Sequence, residues 1–323
     1  NQPLDNWDVS SVSDMGFMFS GASSFNHAMN NWDVSNVTDM SGMFEAAVIF
    51  NQPLDNWDVS NVTDMSLMFR RNAPYGSYFN RPLNSWDVSN VSDMRLMFAG
   101  ANSFDQPLDN WDVSNVTNMR LMFDKAISFN QSLDNWDVFN VTDMTHMFQD
   151  ATSFNQPLNN WDVSSVTDMY RMFFDARNFN QSLNNWEVTS VTNMDSMFYG
   201  AEDFNQPLND WDVYNVTNMR YMFSSAKDFN QPLNDWDVSS VTDMYSMFSI
   251  ANSFNQDISS WCVEQIPNQP FAFAYNTPLQ ASFYPLWGES CKLSTAENNL
   301  DNFKVYPNPV EGQLNLFWSS VNF

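Results

Sequence analysis

Apolar residues recur in one fixed order along the chain: Leu, Trp, Val, Val, Met, Met-Phe, Ala, Phe. In the stretch NQPLDNWDVSNVTDMSLMF they are Leu54, Trp57, Val59, Val62, Met65, Met68 and Phe69. The tryptophan marks the repeat at Trp7, Trp32, Trp57, Trp86, Trp111, Trp136, Trp161, Trp186, Trp211, Trp236 and Trp261. Every step is 25 residues except Trp57 to Trp86, which is 29. Residues 1–254 therefore hold ten units, the long one being 51–79, and an eleventh begins at Asn255. A fixed period in this range is the mark of supersecondary units stacked on one another. Two spacings coexist inside a unit. Trp7 and Val9 alternate around Asp8, which predicts a short strand, whereas Met15, Met18, Phe19 and Ala22 fall at helical intervals. Asp14 and its counterparts, where Asp and Asn interchange, stand where a helix N-cap belongs. The expected fold is an elongated α/β repeat solenoid, with one short parallel strand and one short helix per unit and strands about 4.8 Å apart. A two-turn helix is unstable alone, so neighbouring units must hold it.

The methionine stripe is core at this regularity, with flexible Met filling gaps beside Trp and Phe. Asn26, Asn51, Asn80 and their successors suggest an amide ladder between units, which Asp105 interrupts. A second carboxylate column starts at Asp8 and Asp33. Backbone bonding at a corner explains it, and a divalent cation relieving stacked charge is the other reading.

Charge narrows the partners. There are 38 acidic residues against 12 Lys and Arg, a formal charge of −26. That field repels nucleic-acid phosphates and anionic lipid, and no apolar run is long enough for a membrane helix, so neither nucleic acid nor membrane insertion is expected. The chain opens on the first residue of a unit with no polar cap, so it is expected to be a mature or trimmed fragment.

After Trp261 the motif decays and prolines accumulate, so residues 255–291 are expected to be a terminal repeat and C-terminal cap. The only cysteines, Cys262 and Cys291, are expected to close that cap as a disulfide worth roughly 3–4 kcal/mol in the entropic model, two free thiols being the alternative. A terminal disulfide implies an oxidising compartment. Residues 292–302 are polar and are expected to be a linker, and 303–323 change character, with strands expected at Val305-Tyr306 and Leu314–Trp318.

The units, with W-D-V-S-N-V-T-D-M and M-F before a small residue, resemble the BspA-like leucine-rich-repeat surface proteins over residues 1–291. They look most like the subfamily first described among mycoplasma lipoproteins. The tail, F-K-V-Y-P-N-P-V and G-Q-L-N-L, resembles a type A sorting domain of type IX secretion, cut short at Phe323. These resemblances imply a leucine-rich-repeat-like protein, secreted or displayed on the surface of a Gram-negative bacterium, some of whose relatives mediate adhesion. An intact tail would engage the secretion machinery.

No catalytic constellation is visible: His27 and His146 lie in different units, and the carboxylates sit in repeated columns, whereas an active site is singular. No cofactor or metal is expected. The departures from the repeat are more informative. Tyr170, Arg171, Tyr199, Tyr214, Arg220, Tyr221 and Tyr245 stand at positions that vary between units, and the aromatics gathering there in the C-terminal half are expected to be exposed and to suit a saccharide or a protein. The long unit contributes a second candidate, a contact loop with Arg70, Arg71, Tyr75 and Tyr78, against the plainer reading of a tolerated insertion. The first expectation is a non-enzymatic adhesion or protein-interaction scaffold. A carbohydrate-binding module is the alternative, and a cation-dependent spacer the third reading. The partner is expected to be a surface protein or glycan of another cell or matrix.

Overall fold

The computed structural model describes residues 2–71, 76–291, 306–307 and 314–315. The chain divides into two compact units, Asn1–Glu289 and Ser290–Phe323. Among the described residues of the first, the 25-residue repeats contain neither a helix nor a strand. The one short helical element among these described residues is a 3-10 turn at Ala281–Phe283. The expected α/β leucine-rich-repeat-like solenoid is therefore incorrect, and the repeats are built of turns.

The sixth unit shows how. Trp136 N–H donates to the Leu133 carbonyl, Val141 to Val138, Met147 to Met144, Ala151 to Phe148 and Phe154 to Ala151, all at 2.9–3.1 Å. Each bond closes a four-residue turn. A turn places residues i and i+3 on one side, as a helix does, so the Met and Ala spacing fits both. The backbone distinguishes them. His146 and Asp150 have φ of +60° and +55°, and the same two positions are left-handed in nearly every unit. A left-handed residue in each turn rules out a continuous right-handed helix.

Alternate amides connect the units. His146, Phe148 and Asp150 N–H donate to the Tyr170, Met172 and Phe174 carbonyls of the next unit at 2.7–2.9 Å. Between them, Met147, Gln149 and Ala151 donate back three residues within their own unit. This buried backbone is thus fully paired without a sheet. Only isolated parallel bridges remain, such as Asp143 with Asp168, one per step along the Asp column.

Side chains repeat the stacking. Trp161 lies 6.4 Å from both Trp136 and Trp186, stacked and nearly parallel to each, and its indole N–H donates to the Leu133 carbonyl at 2.9 Å. Phe148 stacks on Phe154 of its own unit at 4.2 Å and on Phe173 of the next at 5.6 Å. The Met columns are buried among these rings, as expected of core, apart from the half-open Met18.

The Asp64 carboxylate accepts from Ser66 N–H at 2.8 Å, the bond expected of a cap. With no helix to cap, it is an Asx turn that opens the Met-Met turn. The Asp8 column does the same, Ser10 donating its hydroxyl to Asp8 at 2.6 Å and its amide at 3.1 Å, which lowers the Asp8 pKa from its ordinary value. Asp105 does not interrupt the Asn ladder. It accepts from Asn130 N–H at 2.9 Å and from the Gln131 amide at 2.8 Å, as Asn155 does from Asn180 and Gln181. The ladder uses only the acceptor oxygen, which both residues supply.

Past Trp261 the ladder continues. Ser246, Phe248 and Ile250 N–H donate to the Phe271, Phe273 and Tyr275 carbonyls, with Pro270 and Phe273 standing where the methionines were. Cys262 and Cys291 are disulfide-bonded. In the second compact unit β1 (Tyr306–Pro307) pairs antiparallel with β2 (Leu314–Asn315). The expected linker 292–302, and the rest of both expected strands, lie outside the described residues.

Candidate interaction face

The Met-x-x-Met turn points its two middle residues away from the core. These are the positions that vary most between units, the large side chains there being half-open or exposed and small ones such as Ser66, Thr145 and Ser196 buried. From the sixth unit to the last turn, side chains from these positions touch one another in a series completed by Phe174 and Tyr199, the residues that follow Met-Phe in their units. His146 meets Tyr170 edge-on at 4.8 Å. The Arg171 guanidinium lies 5.0 Å from the Tyr170 ring and 4.8 Å from Phe174. Phe174 stacks on Tyr199 at 4.5 Å, Tyr199 meets Tyr221 at 6.2 Å, and Tyr221 meets Tyr245 at 5.2 Å. Tyr245 stacks on Phe271 at 5.5 Å. Arg220 lies over both Tyr221 and Tyr245, at 5.8 and 5.1 Å, and pairs with Asp243 at 3.1 Å and Asp195 at 4.0 Å. Cation–π and edge-to-face contacts of this kind fix aromatic side chains that would otherwise rotate freely.

Six of the seven aromatic and arginine residues singled out from the sequence belong to this run: Tyr170, Arg171, Tyr199, Arg220, Tyr221 and Tyr245. They are half-buried against each other rather than freely exposed, which corrects the expectation. Tyr214 does not join them. It stands 53% exposed on the Val213–Val216 turn, a different corner of the unit. The run also includes Phe271, which the decayed motif concealed, and Phe174 and His146, which follow the core methionines as ordinary departures from the repeat.

Electrostatics differ along the face. At its start, burial pushes the His146 imidazole down to about 4, helped by the charges of Arg171 and Arg120, so His146 is neutral at physiological pH. Nearby Asp124 is pushed up to about 6, by burial first, with Asp150 adding to it. Asp175 is raised by burial and by Asp150. Among the described residues no group of three or more His, Cys, Asp or Glu is placed to hold a metal ion.

The long unit behaves differently from the expected contact loop. Arg70 pairs with Glu45 of the preceding unit at 2.6 Å. Arg71 donates its amide to the Ala99 carbonyl at 2.7 Å and its guanidinium to the Ala46 carbonyl at 3.5 Å. Both arginines join neighbouring units. Tyr78 is exposed, at 61%, and Tyr75 lies outside the described residues.

The fold and face together define a tandem repeat protein with aromatic-rich units. Residues 1–107, 71–186 and 171–284 each match the family described as Mycoplasma protein of unknown function, DUF285. The chain belongs to that family. No curated protein and no solved structure matches it. Among the described residues no helix is long and apolar enough to cross a membrane.

Proposed function

We propose that this chain is a non-enzymatic interaction protein, secreted or displayed on a bacterial surface, which meets a protein or glycan of another cell or matrix through the run from His146 to Phe271. The observation that carries this reading is the continuity of that run. Elsewhere each column repeats itself, and repetition serves packing. Here unlike residues in successive units are locked into one patch of Tyr, Phe and Arg, the types enriched where binding energy concentrates. Resemblance to BspA-like surface proteins and of the tail to a type IX sorting domain supports an exported protein. The disulfide supports an oxidising surrounding.

The experiment is adhesion of the purified protein to host cells and to immobilised matrix proteins. Wild type is compared with Arg220→Ala and Tyr221→Ala. Each substitution is expected to weaken adhesion about tenfold or more, the loss of a hot-spot side chain. Adhesion that neither change affects would remove the face from the account.

A glycan partner is the second reading, favoured by the mixture of aromatic rings with charged hydrogen-bonding groups.

A further inference from the structure

At its N-terminal end the run borders a groove of about 470 Å³. Its origin is a size pattern in one column. Arg120, Thr145 and Tyr170 occupy the same position in three successive units, joined by the Leu121-to-Thr145 and His146-to-Tyr170 backbone bonds. A small residue between two large ones leaves a notch two steps wide, with steps of roughly 4.8 Å as between hydrogen-bonded strands. Thr145 is its 8% exposed floor, and its hydroxyl donates to Asp143 at 2.7 Å. Thr142, Asp143, His146, Thr167 and Asp168 complete the lining.

We propose that this notch binds one ring of a neutral polyhydroxylated saccharide. The inference rests on the reading of the run as an interaction face. Charge balance selects the ligand class. An anion at Arg120 would meet the carboxylates of Asp143 and Asp168, and a cation at those carboxylates would meet Arg120. The imidazole between them is neutral and adds no charge. A ligand carrying both donors and acceptors satisfies all of them. Sugar hydroxyls accept from the Arg120 guanidinium and donate to the carboxylates. The carboxylates are held in place because Asp143 Oδ1 accepts from Thr145 and Asp168 Oδ1 accepts from Tyr170 N–H at 2.8 Å and Asn193 at 3.1 Å. The Tyr170 phenol supplies the apolar wall against which C–H faces of a sugar ring pack. The volume lies within the range of small-ligand sites.

The test is binding of wild type and Thr145→Tyr to an array of neutral, uronic and sulfated oligosaccharides, with thermal melts of both proteins. Tyr is tolerated in this column, since Tyr170 and Tyr245 already occupy it. It would fill the notch without unfolding the unit. The expected result is binding to at least one neutral glycan, reduced tenfold or more by Thr145→Tyr at an unchanged melting point. No neutral glycan bound by wild type, acidic glycans bound alone, or neutral binding that survives Thr145→Tyr would each overturn the proposal. Cell adhesion lost in Arg220→Ala while wild type binds no neutral glycan would reject the saccharide and keep the face. Neutral binding lost in Thr145→Tyr, with adhesion indifferent to Arg220→Ala and Tyr221→Ala, would do the reverse.

Discussion

The inner columns and the outer run both bring aromatic rings of successive units together, in opposite ways. Inside, each ring meets a copy of itself: Trp136, Trp161 and Trp186 lie within 2° of parallel, and Phe148 and Phe173 within 6°. Outside, Tyr199 meets Tyr221 at 75° and Tyr221 meets Tyr245 at 67°, with Arg220 above the latter pair. Like on like extends a stack indefinitely and carries no address. Outside, partners and angles change from unit to unit, and that change defines a place. The inner face also shows where burial comes from. Trp7 and Trp161 hold the same position in their units, yet they are 53% and 2% exposed. A unit does not bury its own tryptophan; the adjacent unit does, as nearest-neighbour stability in repeat proteins requires.

The comparison breaks most visibly at an inner ring. Trp161→Ala removes two stacked neighbours and one indole bond. It should destabilise the protein by about 3–5 kcal/mol, measured by denaturant unfolding. The Leu133 carbonyl keeps its bond from Trp136 N–H at 3.0 Å, so the loss is mainly packing.

The Asn ladder gives a sharper and smaller contrast. Asn155→Ala strips the acceptor from Asn180 N–H and leaves the Gln181 amide only its bond to the Asn155 carbonyl at 3.2 Å, and should cost roughly 1–3 kcal/mol. Asn155→Asp keeps that acceptor, as Asp105 does, and should cost clearly less in the same melts.

Ala46 has φ of +55° in a column where Gly21, Gly100 and Gly200 also stand. Ala46→Gly should stabilise by about 1 kcal/mol, since a left-handed conformation costs L-residues roughly 1–2. The converse change at Gly100 is not tolerated, because a Cβ there would lie 2.2 Å from the Arg71 carbonyl oxygen.

The last contrast is one of pH. His146 has a folded pKa of about 4, below its ordinary value of 6.5. Unfolded chains therefore take up its proton first, and its contribution to stability falls as pH drops from 6.5 to 4. Asp124 is raised from 3.8 to about 6, so the folded state takes up its proton first and stability rises as pH drops from 6 to 3.8. The two oppose each other. In Asp124→Asn the offset disappears, and melting points between pH 6.5 and 4 should fall more steeply than in wild type.

Much of this was readable from the sequence. The 25-residue period, the inward columns and the Asp-to-amide bonds follow from spacing and residue type. The helix did not survive because three-residue spacing serves turns as well. The usual sign of a left-handed turn, glycine, is absent where Leu67, Leu96 and Leu121 occupy that conformation. Inter-unit bonds hold those residues there, and no local signal reports them. On the face, departure from the repeat picked out Tyr170, Arg171, Tyr199, Arg220, Tyr221 and Tyr245, which the structure brings into mutual contact. The same criterion selected Tyr214, because sequence departure does not say which corner of the unit a residue occupies. Arg70 and Arg71 looked like contacts because their partners, Glu45 and Ala46, are 25 residues away and adjacent only once the units stack.

The central claim is that repetition holds the body and departure from it makes the site. It is tested most directly by converting the outer pairs 145–146, 170–171, 195–196, 220–221 and 245–246 together to the Ser-Leu found at Ser66-Leu67. Adhesion of this protein to host cells and matrix should fall to background while the thermal transition stays cooperative and within a few degrees of wild type. Adhesion that persists at wild-type strength would contradict the account.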